Sequence, residues 1–139
     1  MDDLTDDIRR RALIEASLMT HEEWTTLVRS FYERLLQHHP ALAVRFARVN
    51  IEFQVQKLIV ILSSIARDLP DRSALDRVLF HMGVAHVERG IRRTEFTEFI
   101  ALLANVLSAK ANLVNPDQAY GVWYQELSAM ATAMLLTSP

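Results

Sequence analysis

The sequence of 139 residues contains no cysteine, which excludes a disulfide scaffold, a zinc–thiolate site and an iron–sulfur cluster. It has no excess of basic residues either. Fifteen Lys and Arg stand against 17 Asp and Glu, for a formal net charge of -2. Because neutralising phosphates requires a basic face, nucleic acid is not expected as the principal partner. No uninterrupted apolar run approaches the roughly 20 residues that cross a bilayer, so no membrane partner is expected.

The N-terminal residues Met1 to Asp7 are acidic and include no apolar core region. We therefore expect no secretory signal peptide and a cytoplasmic location. The chain length allows one domain, and a hydrophobic share of 50% is too high for disorder. We predict a single domain over residues 1–139, with an N-terminal helix and turn in 1–20 and the core of the fold in 21–136.

Helix breakers are scarce, with only three glycines and four prolines, and apolar residues recur at steps of three and four. This combination predicts an all-α chain. Thr20 and Glu23 have the spacing of a capping box that opens a helix. Pro40 and Pro70 are predicted to end two helices. Three further helix N-caps are predicted: Asn50, Thr94 and Asn115.

No HExxH motif, Gly-rich phosphate loop or Ser-His-Asp spacing is present, so a protein-only catalytic site has no support. One histidine, His86, extends an apolar helical stripe through Leu79 and Met82. That pattern is compatible both with a histidine packed in the core and with a histidine that binds a metal or a cofactor. Gln54 precedes the apolar stripe of its predicted helix, and Tyr32 lies beside the apolar face of an earlier one. Either residue alone is compatible with a structural role.

Four motifs taken in order resemble the globin family, especially bacterial single-domain globins and the globin part of flavohaemoglobins. The resemblance covers about Trp24 to Met134. Its motifs are Phe31–Leu35 with Pro40 and Phe46 (FYxxL…P…F), Gln54–Leu58 (QxxKL), Met82–Ile91 (LGxxHxxxGV, matched with Met at the first position) and Trp123 in the last helix.

This resemblance implies a three-over-three helical sandwich that encloses noncovalently bound haem b. His86 would be the proximal iron ligand, and Tyr32 and Gln54 would hydrogen-bond the distal ligand. Lys57 would reach a haem propionate, with a solvated lysine as the alternative. The implied cofactor-binding residues are Phe46, Lys57, Leu58, Leu62, Met82, Ile91, Phe96, Phe99 and Leu103.

Two departures from the bacterial pattern affect the proximal side. Phe96 and Leu127 stand where many relatives have tyrosine, and no acidic residue follows Glu126 in the last helix. The resemblance then implies a neutral proximal histidine rather than one with imidazolate character. We expect no flavin or nicotinamide domain in this chain, so electrons for any redox cycle would come from a separate reductase.

The implied function is reversible binding of O2, with NO and CO as further ligands. NO dioxygenation supported by an external reductase is left open, and so is any classification as an enzyme. The alternative is a haem-based gas-sensing input domain of a longer signalling protein, and a haem-free interaction module is a third reading. The physiological gas, direct coordination of ferric iron by Tyr32 or Gln54, and a homodimer are left open by the sequence.

Overall fold

The computed structural model describes residues 3–68 and 92–136, with side chains described for 5–68 and 92–132. All regular structure in these ranges is helical, which confirms the all-α prediction. The elements are α1 (Asp3–Ser17), α2 (His21–His38), α3 (Pro40–Ala43), a 3-10 turn (Val44–Phe46), α4 (Ile51–Arg67), α5 (Arg93–Ser108) and α6 (Pro116–Leu136). Within the described ranges no single helix is long and apolar enough to cross a membrane. One pair of helical segments, Pro40–Phe46 with Ile51–Arg67, has sufficient combined length and apolar composition, but the two segments are bent by 102° relative to each other.

Local capping explains where three of the helices begin. The Thr20 hydroxyl accepts from the Glu23 amide at 3.1 Å, and the Glu23 carboxylate accepts from the Thr20 amide at 2.9 Å. Asn50 caps α4 by accepting from the Phe53 amide at 3.2 Å. Asn115 caps α6 in the same way, and its side chain accepts from the amide of residue 118 at 2.8 Å. These three predicted caps are confirmed, because each satisfies an amide that the first helical turn leaves without a partner.

Two predicted helix boundaries are wrong. The helix α4 ends at Arg67, three residues before Pro70, because Asp68 adopts the left-handed conformation (φ 48°, ψ 49°) that terminates a helix. Pro70 itself lies outside the described residues. Thr94 is not a cap either, because α5 already begins at Arg93 and the Glu95 carboxylate accepts from the backbone amide of Arg92 at 3.0 Å.

The core forms around α2, which packs against α4 and α5. Its apolar stripe, spaced at three and four residues, is fully buried at Val28, Phe31 and Leu35. The helices α5 and α6 pack along each other, and α1 contacts both α4 and α6. A second small cluster joins α1 to the start of α6 through Ala12 and Ala119.

Arg9 connects three helices through its guanidinium group. Its Nη1 and Nη2 atoms each donate to a carboxylate oxygen of Asp68 at 3.0 Å, which is the residue that terminates α4. Its Nε donates to the carboxylate of Glu126 on α6. A planar guanidinium can serve two carboxylates at once, so this arginine fixes α1 against both α4 and α6.

Adjacent leucines on α2 provide a matched test of this core. Leu35 is 0% exposed and Leu36 is 39% exposed. We expect Leu35→Ala to lower the free energy of unfolding by roughly 2.5–5 kcal/mol, because it removes packed atoms and leaves a cavity. The control Leu36→Ala should cost less than about 1 kcal/mol. Urea unfolding followed by far-UV circular dichroism measures both, and equal losses would contradict the assigned orientation of α2.

Candidate functional site

A cavity of about 110 Å³ lies between α2, the corner from α3 to the 3-10 turn, α4, α5 and α6. This volume is several times the roughly 10–15 Å³ that one water molecule needs. Most of the lining is apolar or aromatic, and the polar groups lie at a few points only. The lining residues are Tyr32, Leu42, Arg45, Phe46, Gln54, Lys57, Leu58, Ile61, Glu95, Phe96, Phe99, Ile100, Met130 and Ala131.

Tyr32 places a polar atom on the cavity wall. Its side chain is 3% exposed, because the tyrosine follows Phe31 on the buried side of α2. Its hydroxyl has no hydrogen-bond partner among the residues that the structure describes, although a buried tyrosine hydroxyl usually has one. Burial raises the pKa of Tyr32 well above its usual value, so the hydroxyl stays protonated and remains a donor at neutral pH.

Three other aromatic rings hold the tyrosine ring in place. Tyr32 makes an edge-to-face contact with Phe46 from the corner, with ring centroids 5.6 Å apart, and another with its neighbour Phe31 at 5.0 Å. Phe99 on α5 contacts Phe31 at 4.9 Å and Tyr32 at 6.5 Å. These contacts join α2, the corner and α5, so the orientation of the Tyr32 ring is set by three elements at once.

The helix α4 supplies the next wall. Gln54, Leu58 and Ile61 line the cavity, because spacings of three and four residues place them on one helical face. Gln54 is half-buried, whereas Leu58 and Ile61 are buried. The Gln54 side chain makes no hydrogen bond with any of the described residues. Lys57 is exposed at the rim, with its Nζ atom 5.0 Å from the centroid of the Phe53 ring. The predicted distal donor therefore faces the cavity together with a flexible cation at its edge.

The remaining predicted site residues divide into three groups. Phe96 and Phe99 line the cavity from α5. Leu62 and Leu103 are 0% exposed members of the main core and are absent from the cavity lining. Three residues lie outside the described part of the chain, so their predicted roles stay predictions: Met82, His86 and Ile91.

Sequence reasoning missed several lining residues. Arg45 and Glu95 form an ion pair across the rim, and their separation of 50 positions leaves no local pattern to predict it. Ile100, Met130 and Ala131 close the cavity from α5 and α6. Ile100 and Met130 belong to the apolar stripes visible in the sequence, but a stripe alone does not separate cavity wall from core.

A model of the globin family, described as Globin, matches residues 29–134 of this chain. The chain belongs to the globin family. A search of curated proteins and a search of solved structures gave no significant match. The predicted globin fold is thereby confirmed, and globins typically bind haem and small gas ligands such as O2. The finer likeness to bacterial globins and flavohaemoglobins stays a prediction.

The described walls have the chemical character that such a prosthetic group requires, while the space between them, about 110 Å³, is smaller than the roughly 300–1,000 Å³ of ligand pockets. A largely apolar cavity suits a flat tetrapyrrole, and Phe46 offers an aromatic ring at its edge. The buried Tyr32 hydroxyl has no partner among the described residues and is available to a polar ligand in the cavity. In a structural core, an unpaired buried hydroxyl of this kind would only be destabilising.

The unpaired hydroxyl leads to a test on the haem-free chain. We expect Tyr32→Phe to raise the free energy of unfolding by about 1 kcal/mol, because it removes a buried polar atom that lacks a partner. Tyr120→Phe is the control, since Tyr120 is only partly buried, and its effect should stay within about 0.5 kcal/mol. Chemical denaturation measures both variants. A clear loss of stability in Tyr32→Phe would show that the hydroxyl has a partner in the haem-free fold.

Proposed function

We propose that this globin binds haem b noncovalently and reversibly binds O2 and other diatomic gases at the haem iron. The observation that carries the proposal is the protonated, buried Tyr32 hydroxyl on the α2 wall of an apolar cavity, with Gln54 on the adjoining α4 wall. Two donors without partners among the described residues, in a cavity otherwise lined mainly by apolar groups, suit a small ligand that accepts hydrogen bonds.

The proposed roles of the residues are of two kinds: some hold the cofactor, and others set how strongly the gas ligand is retained. When bound, haem supplies an iron with a coordination position that is open to a diatomic gas. His86 is proposed to hold the iron from the opposite side through an imidazole nitrogen. Phe46 and Phe96 would contact the cofactor from the corner and from α5, since both line the cavity.

The α4 wall controls the distal space. Leu58 and Ile61 are buried and apolar, so they keep water away from the place where the gas binds. Tyr32 and Gln54 donate hydrogen bonds to the ligand, which favours ligands that acquire negative charge and slows their release. Retention of this kind is better suited to scavenging or turnover of O2 than to its bulk delivery.

Turnover of NO is the enzymatic extension of the proposal. One NO, one O2 and one electron give one nitrate ion, so the reaction needs an electron donor besides the two gases. We propose a separate reductase as that donor. Slow O2 release supports this chemistry, because NO must arrive while O2 is still held.

Haem binding and the role of His86 are tested together by optical spectroscopy. We expect the purified chain to take up one haem and to give a Soret band that shifts on reduction and on addition of CO. His86→Ala should lose haem or bind it weakly, and added imidazole should partly restore the spectrum. His81→Ala is the control and should keep its haem. An unchanged spectrum in His86→Ala would contradict the proximal assignment, and no haem uptake by the parent chain would contradict the proposed function.

The distal donors are tested by ligand release. A hydrogen bond to a charged acceptor contributes about 1.5–3 kcal/mol, so Tyr32→Phe and Gln54→Leu should each accelerate O2 dissociation by about tenfold or more. CO dissociation should change less, because CO acquires little negative charge. If both donors share one ligand, the effect in the double variant should depart from the sum of the two single effects. Stopped-flow measurement of both gases decides the matter, and unchanged O2 release in all three variants would contradict the distal roles.

A further inference from the structure

The rim of the cavity is crossed by an ion pair between Arg45 and Glu95. The Arg45 Nε donates to Glu95 Oε2 at 2.6 Å, and its Nη2 donates to Glu95 Oε1 at 2.8 Å. The same carboxylate accepts from the Arg92 amide at 3.0 Å. These hydrogen bonds hold the pKa of Glu95 below its usual value, so the pair is charged at neutral pH.

The pair joins two segments that each supply an aromatic ring to the cavity. Arg45 directly precedes Phe46 in the 3-10 turn, and Glu95 directly precedes Phe96 in the first turn of α5. All four side chains line the cavity. The two charged side chains are also partly shielded from solvent, with 34% of Arg45 and 17% of Glu95 exposed. The pair therefore fixes the separation between two cavity walls rather than two points on the outer surface.

Among the described residues, the corner is also held by the buried side chain of Leu42 and by the contact of the Phe46 ring with Tyr32. The 3-10 turn is only three residues long, and the backbone bonds that follow it are long, at 3.3 Å from Ala47 to Val44 and 3.2 Å from Val49 to Phe46. Short 3-10 segments have poorer hydrogen-bond geometry than α-helices. The bidentate Arg45–Glu95 contact adds a restraint between this corner and α5.

We propose that the Arg45–Glu95 pair is a clamp on the cavity rim, which keeps the corner against α5 and thereby sets the rate at which the prosthetic group escapes. This inference rests on the proposed function, since it assumes that haem occupies the cavity. Arg45 and Glu95 act as positioning residues, because they control the place of Phe46 and Phe96 relative to each other. When the clamp is broken, the corner can move away from α5 and the cavity opens at its edge.

The experiment measures haem transfer from each variant to an excess of apomyoglobin. We expect Arg45→Gln and Glu95→Gln each to accelerate haem loss by about fivefold, because each removes one partner of a bidentate ion pair. Gln at position 95 keeps an oxygen that can accept from the Arg92 amide, so the start of α5 is retained. The double variant should lose haem no faster than the faster single variant, because each single change already breaks the clamp.

Arg29 and Glu52 provide the matched control. They form a similar bidentate contact between α2 and α4, at 3.0 and 2.8 Å, but their side chains are 53% and 59% exposed and neither lines the cavity. Arg29→Gln should leave the rate of haem transfer unchanged. An equal acceleration in this control would overturn the clamp, because a loss of general stability would then explain both results.

A second readout does not need the cofactor. In the haem-free full chain, Arg45→Gln and Glu95→Gln should increase amide hydrogen exchange at residues 44–49, whereas Arg29→Gln should not. Full haem uptake with unchanged transfer rates and unchanged exchange in both variants would overturn the clamp and leave the proposed function in place. Absence of haem uptake by the parent chain would overturn the proposed function, and with it the part of this inference that concerns haem escape.

Discussion

The edge-to-face packing of aromatic rings around Tyr32 is the contact on which the rest of the site depends. It places one ring from α2 against Phe46 from the corner and Phe99 from α5. The ring is held by apolar contacts alone, so its hydroxyl is left for whatever enters the cavity. In this globin the same packing that builds the core also orients a buried donor on the cavity wall.

This arrangement has an energetic cost that the core must offset. A buried hydroxyl without a partner is destabilising, and stable folds keep few of them. The fully buried side chains of α2, α4 and α5 surround Tyr32 and supply the apolar contacts that make this tolerable. The cavity therefore lies beside fully buried side chains of the main core.

Much of the fold could be predicted from the sequence because the relevant interactions are local. The caps at Thr20, Asn50 and Asn115 depend on residues three positions apart, and periodicity identifies the buried face of α2. The error at Thr94 also has a local cause, because α5 begins one residue earlier, where the adjacent Glu95 accepts from the backbone amide of Arg92. Gln54 and Tyr32 were identified by resemblance to a family pattern rather than by their own chemistry, and the structure places both on the cavity wall. The contact between positions 45 and 95 was beyond reach, because only the folded chain brings those residues together.

The salt bridges of Arg9 have a consequence for the order in which the chain assembles. Arg9 and Glu126 are 117 positions apart, and Ala12 packs beside Ala119 in the same region. The helix α1 therefore finds part of its binding surface only when α6, which follows it in the chain, has been made. Until then its apolar face, which includes Leu13 and Ala16, can pack against α4 but not yet against α6. Completion of the α1 packing is thus tied to the synthesis of α6 rather than to that of α1 itself.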